Sequence, residues 1–422
     1  MKLTIQNTQA KYRVRQLFAV LGLALSTSVN AAAPGISLDN IGLSYTENSA
    51  ITQIDAAATL TDADGDADWN GGTLVAQITA NNGSGDEISI PDNLVGTINT
   101  SGTNILNNTN VIGTLSASEG TVTNGTALTI TFNASATNTL IQQVLQGISY
   151  RNTSDDPNTS NRTVTFTATD KNLSSANATR TIVFTALNDQ PTLSVTGDNP
   201  TFTEGDSAVS LFSSSSISTI ESGQTLSALT LTITGVNDGT PLGADETLFI
   251  DGSTISLTDS NSGTTTTNNF SYLVSLSAHT ATLNLTAGSL SEAAMALLID
   301  DISYINASEA PNGSDRVVTL TQLVDSGSGS GDNVNSSTFA LTSTIMINSV
   351  NDAPIIIIDD TLNTDEDNNQ SLSFSYTDVD GDTVSASVTS QASHGLASVS
   401  GTTVTYAPEA NFHGNDSFTL TL

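Results

Sequence analysis

The chain has 422 residues and an acidic composition, with 9 Lys and Arg against 42 Asp and Glu and a formal net charge of −33. Binding to a nucleic-acid backbone or to anionic lipid needs clustered bases, so this balance excludes nucleic acid and disfavours a lipid surface. It suits a protein that meets cations or stays soluble by self-repulsion. The chain has no Cys, so disulfides do not stiffen it.

Residues 1–32 have the pattern of a secretory signal peptide. Bases occur in the first fifteen residues, the apolar run Leu17–Leu25 follows, and small residues then lead to a cleavage motif that ends at Ala31. The apolar run is shorter than the roughly 20 residues that a membrane-spanning helix needs. A buried strand or an N-terminal anchor is the alternative interpretation. We expect export from a bacterial cell, with the mature chain secreted or at the cell surface.

An internal repeat organises the rest of the chain. The segments 33–190 and 191–353 share the pattern I-S-Y-x-N, seen in Ile148–Asn152 and Ile302–Asn306, followed by a proline and by R-x-V-T-x-T with an Asp after it. Each segment opens with a Thr-Glu step and ends in a linker of the type Val/Leu-Asn-Asp-x-Pro. A shorter unit, which we expect to be truncated, covers 354–422. We therefore expect three repeat domains after the signal peptide.

Short runs that alternate apolar side chains with Thr or Ser predict strands, as in Val164–Ala168 and Leu229–Ile233. Clusters of Gly, Asn, Asp and Ser separate these runs, which favours an all-β fold of tandem β-sandwiches. One short helix is expected in each long repeat. The first follows the apolar stripe Leu140–Leu145, and the second follows a capping box, Ser289–Glu292, with an apolar stripe that extends to Leu297. We interpret both helices as plugs over an open sandwich edge.

The sequence has its highest density of ionisable side chains in two runs with Asp at every second position. The first run consists of Asp62, Asp64, Asp66 and Asp68, and the second of Asp378, Asp380 and Asp382. Such carboxylates repel one another unless they are neutralised, and protein bases are scarce here. Calcium, a hard dication that prefers oxygen ligands, is therefore the predicted cofactor. Neither run has the Gly and Glu positions of an EF-hand loop, and a solvated acidic turn is the alternative.

The linkers and the shorter unit carry a family resemblance. Leu187–Pro191 and Val350–Pro354 resemble the D-x-N-D-x-x-P linkers of cadherin-like repeats, and the long segments look like the proteoglycan-type cadherin-like repeats of bacterial surface proteins. Through Thr364–Asp367, Val404–Pro408 and Asn411–Phe418, the shorter unit resembles the Ig/cadherin-like domain of giant adhesins. The resemblance implies an elongated array of β-sandwiches with calcium ions between consecutive domains.

The resemblance also implies which residues hold the calcium. The second junction would combine Glu204, Asp325, Asn351, Asp352, Asp378 and Asp380. The first junction would combine Glu47, Asp170, Asn188 and Asp189, with Glu221 where a D-x-D turn is expected. The run Asp62–Asp68 would bind calcium weakly or serve as a cap. Because the family continues past the last strand seen here, we expect the protein to extend into further repeats.

The sequence carries no signature of an enzyme. The three His are scattered, and no metalloprotease helix, nucleophile elbow or Cys nucleophile occurs. We therefore expect a non-enzymatic, calcium-binding extracellular protein that acts in adhesion or as a stalk. Its expected partners are cell-surface or matrix molecules, glycans, or a second copy of itself. The alternatives are a carbohydrate-binding or accessory module of a larger exported enzyme, and a passive spacer that binds no metal.

Overall fold

The computed structural model describes residues 32–422 except 93–94, 173–175 and 360. The predicted signal peptide therefore lies, apart from its last residue, outside the described residues. The chain packs into two units. Unit 1 contains the described residues up to Tyr45 together with Ser49–Asn152 and Ser160–Phe184. Unit 2 contains Thr46–Asn48, Thr153–Thr159 and Thr185–Leu422.

Unit 1 is built on an eight-stranded and a four-stranded sheet. In spatial order, the larger sheet consists of Leu43–Thr46, Ala176–Thr185, Arg162–Thr169, Thr73–Ala80, Leu128–Phe132, Asn110–Leu115, Asn104–Asn107 and Ile98–Ser101. The smaller sheet consists of Val122–Thr123, Asp86–Ser89, Ser149–Asn152 and Thr52–Gln53. Gly35–Ser37 pairs with Thr59–Thr61, and two 3₁₀ turns cover Asp66–Trp69 and Ser118–Gly120.

The alternation of Thr with apolar residues explains why these strands have one buried face and one solvent-facing side. Along Arg162–Thr169, side chains two residues apart share a face, and buried and half-exposed positions alternate without exception. Val164 and Phe166 are fully buried, while the threonines between them lie on the outer face. β-Branched Thr suits such a solvated sheet surface. The predicted all-β class is confirmed.

In unit 2, residues 191–353 repeat this plan. A seven-stranded sheet consists, in spatial order, of Thr201–Thr203, Ser336–Asn348, Arg316–Asp325, Leu226–Thr234, Thr280–Thr286, Ser271–Ser277 and Ser262–Thr264. A four-stranded sheet consists of Val209–Ser210, Ser303–Asn306, Glu246–Ile250 and Ser253–Ser256. Thr192–Gly197 pairs with Phe212–Ser218.

Three small sheets follow in the last part of unit 2. Their strands are Ile355–Ile357 with Ser375–Thr377, Gln370–Ser373 with Thr403–Pro408 and Gly395–Ser400, and Ser387–Ser390 with Thr419–Thr421. The predicted bounds of three repeat domains stay a prediction.

Both predicted helices form. Helix α1 spans Asn138–Gly147, and Gln142 and Gln146 in it hydrogen-bond to the backbone of Leu60 and Ala58 at the edge of a strand. Helix α2 spans Glu292–Asp300. These contacts agree with the interpretation of α1 as a cover over a strand edge.

The predicted capping box of α2 is wrong. The N-cap is Ser291, whose hydroxyl accepts a hydrogen bond from the Ala294 N–H at 3.3 Å. The Glu292 carboxylate does not return to Ser289 but accepts from Thr219. The buried face is Met295, Leu298 and Ile299, whereas Leu297 is 65% exposed. The register differs because the helix starts two residues later than the sequence pattern predicts.

The shared I-S-Y-x-N and R-x-V-T-x-T motifs meet in a buried ion-pair network. In unit 2, the Arg316 Nε lies 3.0 Å from a Glu246 oxygen, and the Tyr304 hydroxyl donates to the same carboxylate at 2.8 Å. In unit 1, Arg162 and Tyr150 contact Asp86 in the same way. The motif therefore satisfies a buried charge and belongs to the core of each repeat.

Candidate metal centres

Six residues from distant parts of the chain form the first candidate centre, which we call the Glu47 cluster and which lies within unit 2. The members are Glu47, Asp155, Asn188, Asp189, Glu221 and Asp325. Glu47 directly follows the strand Leu43–Thr46, and its backbone N–H donates to the Thr185 carbonyl at 2.9 Å. This bond sets the Glu47 side chain beside the linker that begins at Leu187.

Carboxylates hold the backbone of that linker. The Leu187 N–H donates to Glu47 Oε2 at 2.7 Å, and the Asp189 N–H donates to Glu221 Oε1 at 2.6 Å. The Asn188 amide lies 3.4 Å from Asp325 Oδ1, which also accepts from the Gly327 N–H at 2.7 Å. Each of these carboxylates thus has one oxygen fixed by a peptide or amide N–H.

The second oxygen of each of these three carboxylates is buried without a hydrogen-bond partner, and so is one carboxylate oxygen of Asp189. These oxygens are Glu47 Oε1, Glu221 Oε2, Asp325 Oδ2 and Asp189 Oδ2. Glu47 is only 2% exposed and Asp325 only 1%. An unpaired buried carboxylate oxygen is strongly unfavourable, because water no longer solvates it. A cation placed among these oxygens would supply the missing partners, so the four residues are candidate ligands.

The electrostatics of the cluster agree with this interpretation. Burial raises the pKa of Glu47 to about 7, and the charges of Asp189, Glu221 and Asp155 act in the same direction against the Leu187 N–H. Burial likewise raises the pKa of Asp189, Glu221 and Asp325. The cause in each case is a negative charge that has lost water and gained no positive partner.

The described bases are all engaged elsewhere. Arg162 pairs with Asp86, Arg316 with Asp238 and Glu246, Arg180 with Asp39 and Asp55, Arg151 with Glu87, and Lys171 with Asp68. Among residues 32–422 as described, these are the only Lys and Arg. No Lys or Arg in that part of the chain is therefore left to neutralise the Glu47 cluster.

A second candidate centre in unit 2, the Glu204 cluster, repeats the same pattern with Glu204, Glu309, Asp352 and Asp380. Carboxylate oxygens of the first three lie within 4.8 Å of one another. The Val350 N–H donates to Glu204 at 2.8 Å and the Asp352 N–H donates to Asp380 at 2.6 Å, as Leu187 and Asp189 do in the Glu47 cluster.

The remaining predicted ligands of this region have contacts within the turn and the linker. The Asn351 amide donates to the Asp352 carbonyl at 3.0 Å. Asp378 accepts from the Asp382 N–H at 3.0 Å, which closes the turn. Asp382 is exposed. These three residues therefore shape the turn and the linker beside the Glu204 cluster.

Unit 1 contains a third group, the Asp62 cluster, in which Asp62, Asp64 and Asp170 bring carboxylate oxygens within 4.8 Å of one another. Burial raises the pKa of Asp62, and the charges of Asp170 and Asp64 add to the effect. Asp62 Oδ2 is buried and unpaired, and Asp64 accepts from the Ala32 N–H.

Asp66 and Asp68 have other partners. Asp66 accepts from the N–H of Asn138 in the first turn of α1 at 2.7 Å, where a negative charge is favourable. Asp68 pairs with Lys171 at 2.5 Å. The predicted run of four ligands is thus divided between a cluster, a helix terminus and an ion pair.

The structure groups two predicted ligands differently from the sequence analysis. Asp325 was expected with Asp378 and Asp380, but it contacts Asn188. Asp170 was expected with Glu47, but it lies with Asp62 and Asp64. The reason is strand direction: both Asp residues end strands that run back toward the beginning of their repeat.

Sequence reasoning missed Asp155 and Glu309. Each lies three residues after the Asn of the I-S-Y-x-N motif, Asn152 or Asn306, so the internal repeat contained the signal. From the sequence, Glu221 was only a departure from the D-x-D pattern. In the structure it accepts from the Asp189 N–H, as Asp380 accepts from the Asp352 N–H.

Comparison with known protein families identifies a domain at the end of the chain. Residues 351–422 match the family model of a bacterial Ig domain. The sequence has no match among curated proteins. No helix among the described residues is long and apolar enough to cross a membrane.

Solved structures of cadherins and of an adhesin align weakly. The protocadherin GammaB4 extracellular domain is 14% identical with a TM-score of 0.28, and the alignment covers 90% of this chain and 44% of that one. Cadherin domains 3–6 of protocadherin Gamma B2 are 13% identical with a TM-score of 0.28, and the alignment covers 89% of this chain and 65% of that one. The C-terminal domain of the AgI/II polypeptide BspA of Streptococcus agalactiae is 11% identical with a TM-score of 0.19, and the alignment covers 74% of this chain and 99% of that one. TM-scores this far below 0.5 do not establish a common arrangement of domains.

The predicted resemblance to Ig-like domains is confirmed where the family model matches. Strand alternation and sheet order give the rest of the described chain an all-β architecture with two short helices. Residues 351–422 thus match a bacterial Ig domain, and the described chain as a whole is an all-β protein with an internal repeat.

Proposed function

We propose that this chain is a non-enzymatic, extracellular calcium-binding protein in which calcium fixes the linkers between repeats. The buried, unpaired carboxylate oxygens of the Glu47 cluster are the observation that carries the proposal. Calcium supplies two positive charges to a site where the described chain supplies none. All the orphaned atoms are oxygens, which are the ligands that calcium prefers.

Glu47, Asp155, Asp189, Glu221 and Asp325 would hold the ion in the first centre. Glu204, Glu309, Asp352 and Asp380 would do so in the second. In each centre, carboxylates from either side of a linker in the chain also bind linker N–H groups. Neutralising these carboxylates would remove their mutual repulsion and leave the linker backbone in one conformation.

A chain with fixed linkers suits adhesion or the presentation of another domain at a distance. The bacterial Ig match supports a location outside the cell. The proposed arrangement is a secreted or surface-attached array of repeats, which binds other surface molecules or a second copy. Three repeat domains, 33–190, 191–353 and 354–422, remain our proposed organisation.

Calorimetric titration of the chelator-treated full chain with calcium tests this proposal. We expect binding in the unmodified chain and a loss of one set of sites in Glu47→Gln, which keeps the hydrogen bond to Leu187 but removes the charge. A corresponding loss is expected in Asp352→Asn. Asp259→Asn, at an exposed acidic residue outside the clusters, is the matched control and should titrate as the unmodified chain does.

Thermal melting gives an independent measurement. A ligand that binds only the folded state raises the melting temperature with its concentration. Equal melting temperatures with calcium and with chelator, together with no heat of binding, would rule out the calcium function.

A further inference from the structure

The Asp62 cluster takes no part in the two proposed calcium centres, and the backbone nitrogen of Ala32 lies against it. The Ala32 N–H donates to the Asp64 carboxylate. One carboxylate oxygen of Asp62 is buried without a hydrogen-bond partner, and Asp62 as a whole is only 7% exposed. Lys171, the nearest base in sequence to the cluster, pairs with Asp68. Because the unpaired oxygen is closed to solvent, its charge has to be balanced by a group that is packed inside the structure with it.

The same backbone contact recurs near the start of each repeat. The N–H of Asp189 donates to Glu221, and the N–H of Asp352 donates to Asp380, as that of Ala32 does to Asp64. The three donating residues each stand two residues before a proline. The accepting carboxylate in each case follows the strand that pairs with the first strand of the repeat. Ala32 therefore occupies in the first repeat the place that the linker Asp occupies in the other two.

The first repeat lacks the other half of a calcium site. The linker position that is Asp189 or Asp352 in the later repeats is Ala32 here, and its side chain has no ligand atom. In the Glu47 cluster the preceding repeat also supplies acids, whereas residues 1–31 contain no Asp or Glu. Calcium takes roughly six to eight oxygen ligands, so a cluster of three carboxylates is a poor calcium site. Those carboxylates belong to Asp62, Asp64 and Asp170.

The sequence offers a different cation for this place, which is the amino terminus of the processed chain. The cleavage motif of the predicted signal peptide ends at Ala31, so cleavage there makes Ala32 the first residue. An endopeptidase of the signal-peptidase class would break the C–N bond between them. Water supplies the hydroxyl of the new Ala31 carboxyl group and one hydrogen to the Ala32 nitrogen. The amine then takes up a proton from solvent at neutral pH, as α-amino groups do.

We propose that Ala32 becomes the amino terminus of the exported chain and that its ammonium group binds in the Asp62 cluster, in the place that calcium takes at the other repeats. The ammonium keeps the N–H that donates to Asp64 and adds two further N–H bonds and a positive charge. Carboxylate oxygens of the three acids lie within 4.8 Å of one another, so a single charge acts on all of them. The first repeat would thus be closed by its own terminus only after processing.

The mass of the processed protein is the first measurement, because this inference rests on the export proposed above. The full chain, produced in an exporting bacterium, should be recovered outside the cytoplasm as residues 32–422. A mature chain that begins at any other residue would overturn the assignment of Ala32. Retention of residues 1–31 would overturn both this proposal and the export on which it rests.

Melting of residues 32–422 with a free and with an acetylated Ala32 nitrogen tests the binding itself, in saturating calcium. Acetylation keeps an N–H for Asp64 and removes the charge. Trp69, the only Trp of the chain, is fully buried in unit 1 and reports the unfolding of that unit by fluorescence. We expect acetylation to lower the melting temperature of unit 1 by about 2–4 °C.

Two variants show whether the effect of acetylation comes from the cluster. In Asp64→Asn, the difference between the free and the acetylated chain should fall below about 1 °C, because the charge has lost its contact. Asp92→Asn, at an exposed acid of unit 1 that accepts from Thr100, is the matched control and should keep the full difference. An equal melting temperature of the free and the acetylated unmodified chains would overturn the proposal, and that comparison needs no substitution.

Calorimetric titration with calcium separates this proposal from the calcium function. We expect Asp62→Asn in the free-amine chain to leave the number of calcium sites unchanged, whereas Glu47→Gln loses one set. Loss of a calcium site in Asp62→Asn would make the cluster a metal centre and overturn the proposal, while the Glu47 cluster kept its calcium. If neither centre bound calcium, the melting comparison would still decide whether the ammonium binds.

Discussion

At the residue scale, the most informative atoms are carboxylate oxygens that have no partner. Glu47 illustrates the point, because one oxygen accepts a peptide N–H while the other is buried and unpaired. A charge in that position raises the free energy of the folded state unless a proton or a cation neutralises it. The same residue should therefore report on both pH and calcium.

The contribution of Glu47 to the pH dependence of the calcium-free chain has a definite sign. Because the pKa of Glu47 is raised from 4.5 to about 7, the folded state binds a proton more tightly than the unfolded state does. The free energy of unfolding should then fall as pH rises between these two values, and level off above them. Urea unfolding in chelator from pH 4.5 to pH 8 would measure the slope, with Glu47→Gln as comparison. A slope that is unchanged in the variant would show that Glu47 is not the responsible group.

Gly327 is a second informative residue, because the Asn188 side chain of the Glu47 cluster leaves no room for a Cβ there. A Cβ at this position would lie 1.7 Å from Asn188 Oδ1, which is impossible without displacement of Asn188. We expect Gly327→Ala to weaken calcium binding at the Glu47 cluster by about tenfold or more, an amount equivalent to about 1.4 kcal/mol. Gly313→Ala is the matched control, since a Cβ there meets nothing within 4 Å. Calorimetric titration that finds equal affinity for both variants would contradict the assignment of Asn188 to the site.

At the element scale, strand direction decides which acids meet. Asp170 and Asp325 were placed at the wrong ends of their repeats because the linear motif does not show which way the strand runs. The internal repeat did predict both helices and the Thr-rich strands, since periodicity is a local property of the sequence. It did not predict the start of α2, because Ser289 and Ser291 are equally good caps in sequence and only packing distinguishes them.

The cap of α2 can be tested directly. Ser291→Ala removes the hydroxyl that accepts from Ala294, and should lower the free energy of unfolding by about 1 kcal/mol. Ser289→Ala, at the residue that the sequence pattern favours, should change it by less than about 0.5 kcal/mol. Urea unfolding of both variants in calcium would measure the difference. A larger effect at Ser289 would restore the capping box and reject the N-cap seen here.

At the scale of the whole molecule, the shortage of bases is the dominant fact. All the described Lys and Arg side chains form ion pairs. Two of them, Arg162 and Arg316, are fully buried in the cores of the repeats. Composition could predict that cations must come from outside the chain. It could not predict which acids remain unpaired, since that depends on tertiary contacts such as Arg316 with Glu246.

The remaining negative charge should make calcium-free stability sensitive to salt. Like charges across the molecule repel over distances that the Debye length limits to about 10 Å at 0.1 M salt. We expect the melting temperature in chelator to rise as sodium chloride is increased, and to rise less when calcium is bound. Choline chloride at equal ionic strength is the control for specific sodium binding. A melting temperature that does not respond to either salt would show that repulsion is unimportant in this fold.

The hydrogen bonds between carboxylates and linker N–H groups have a further consequence for the lifetime of the protein. Linkers between domains are preferred sites of proteolytic cleavage, because a protease must pull the chain into an extended form and bind its peptide groups. At Leu187, Asp189, Val350 and Asp352 those groups already donate to carboxylates. A cation that keeps the carboxylates together would therefore protect the linkers from proteolytic cleavage, and loss of the cation would make the linkers accessible to proteases.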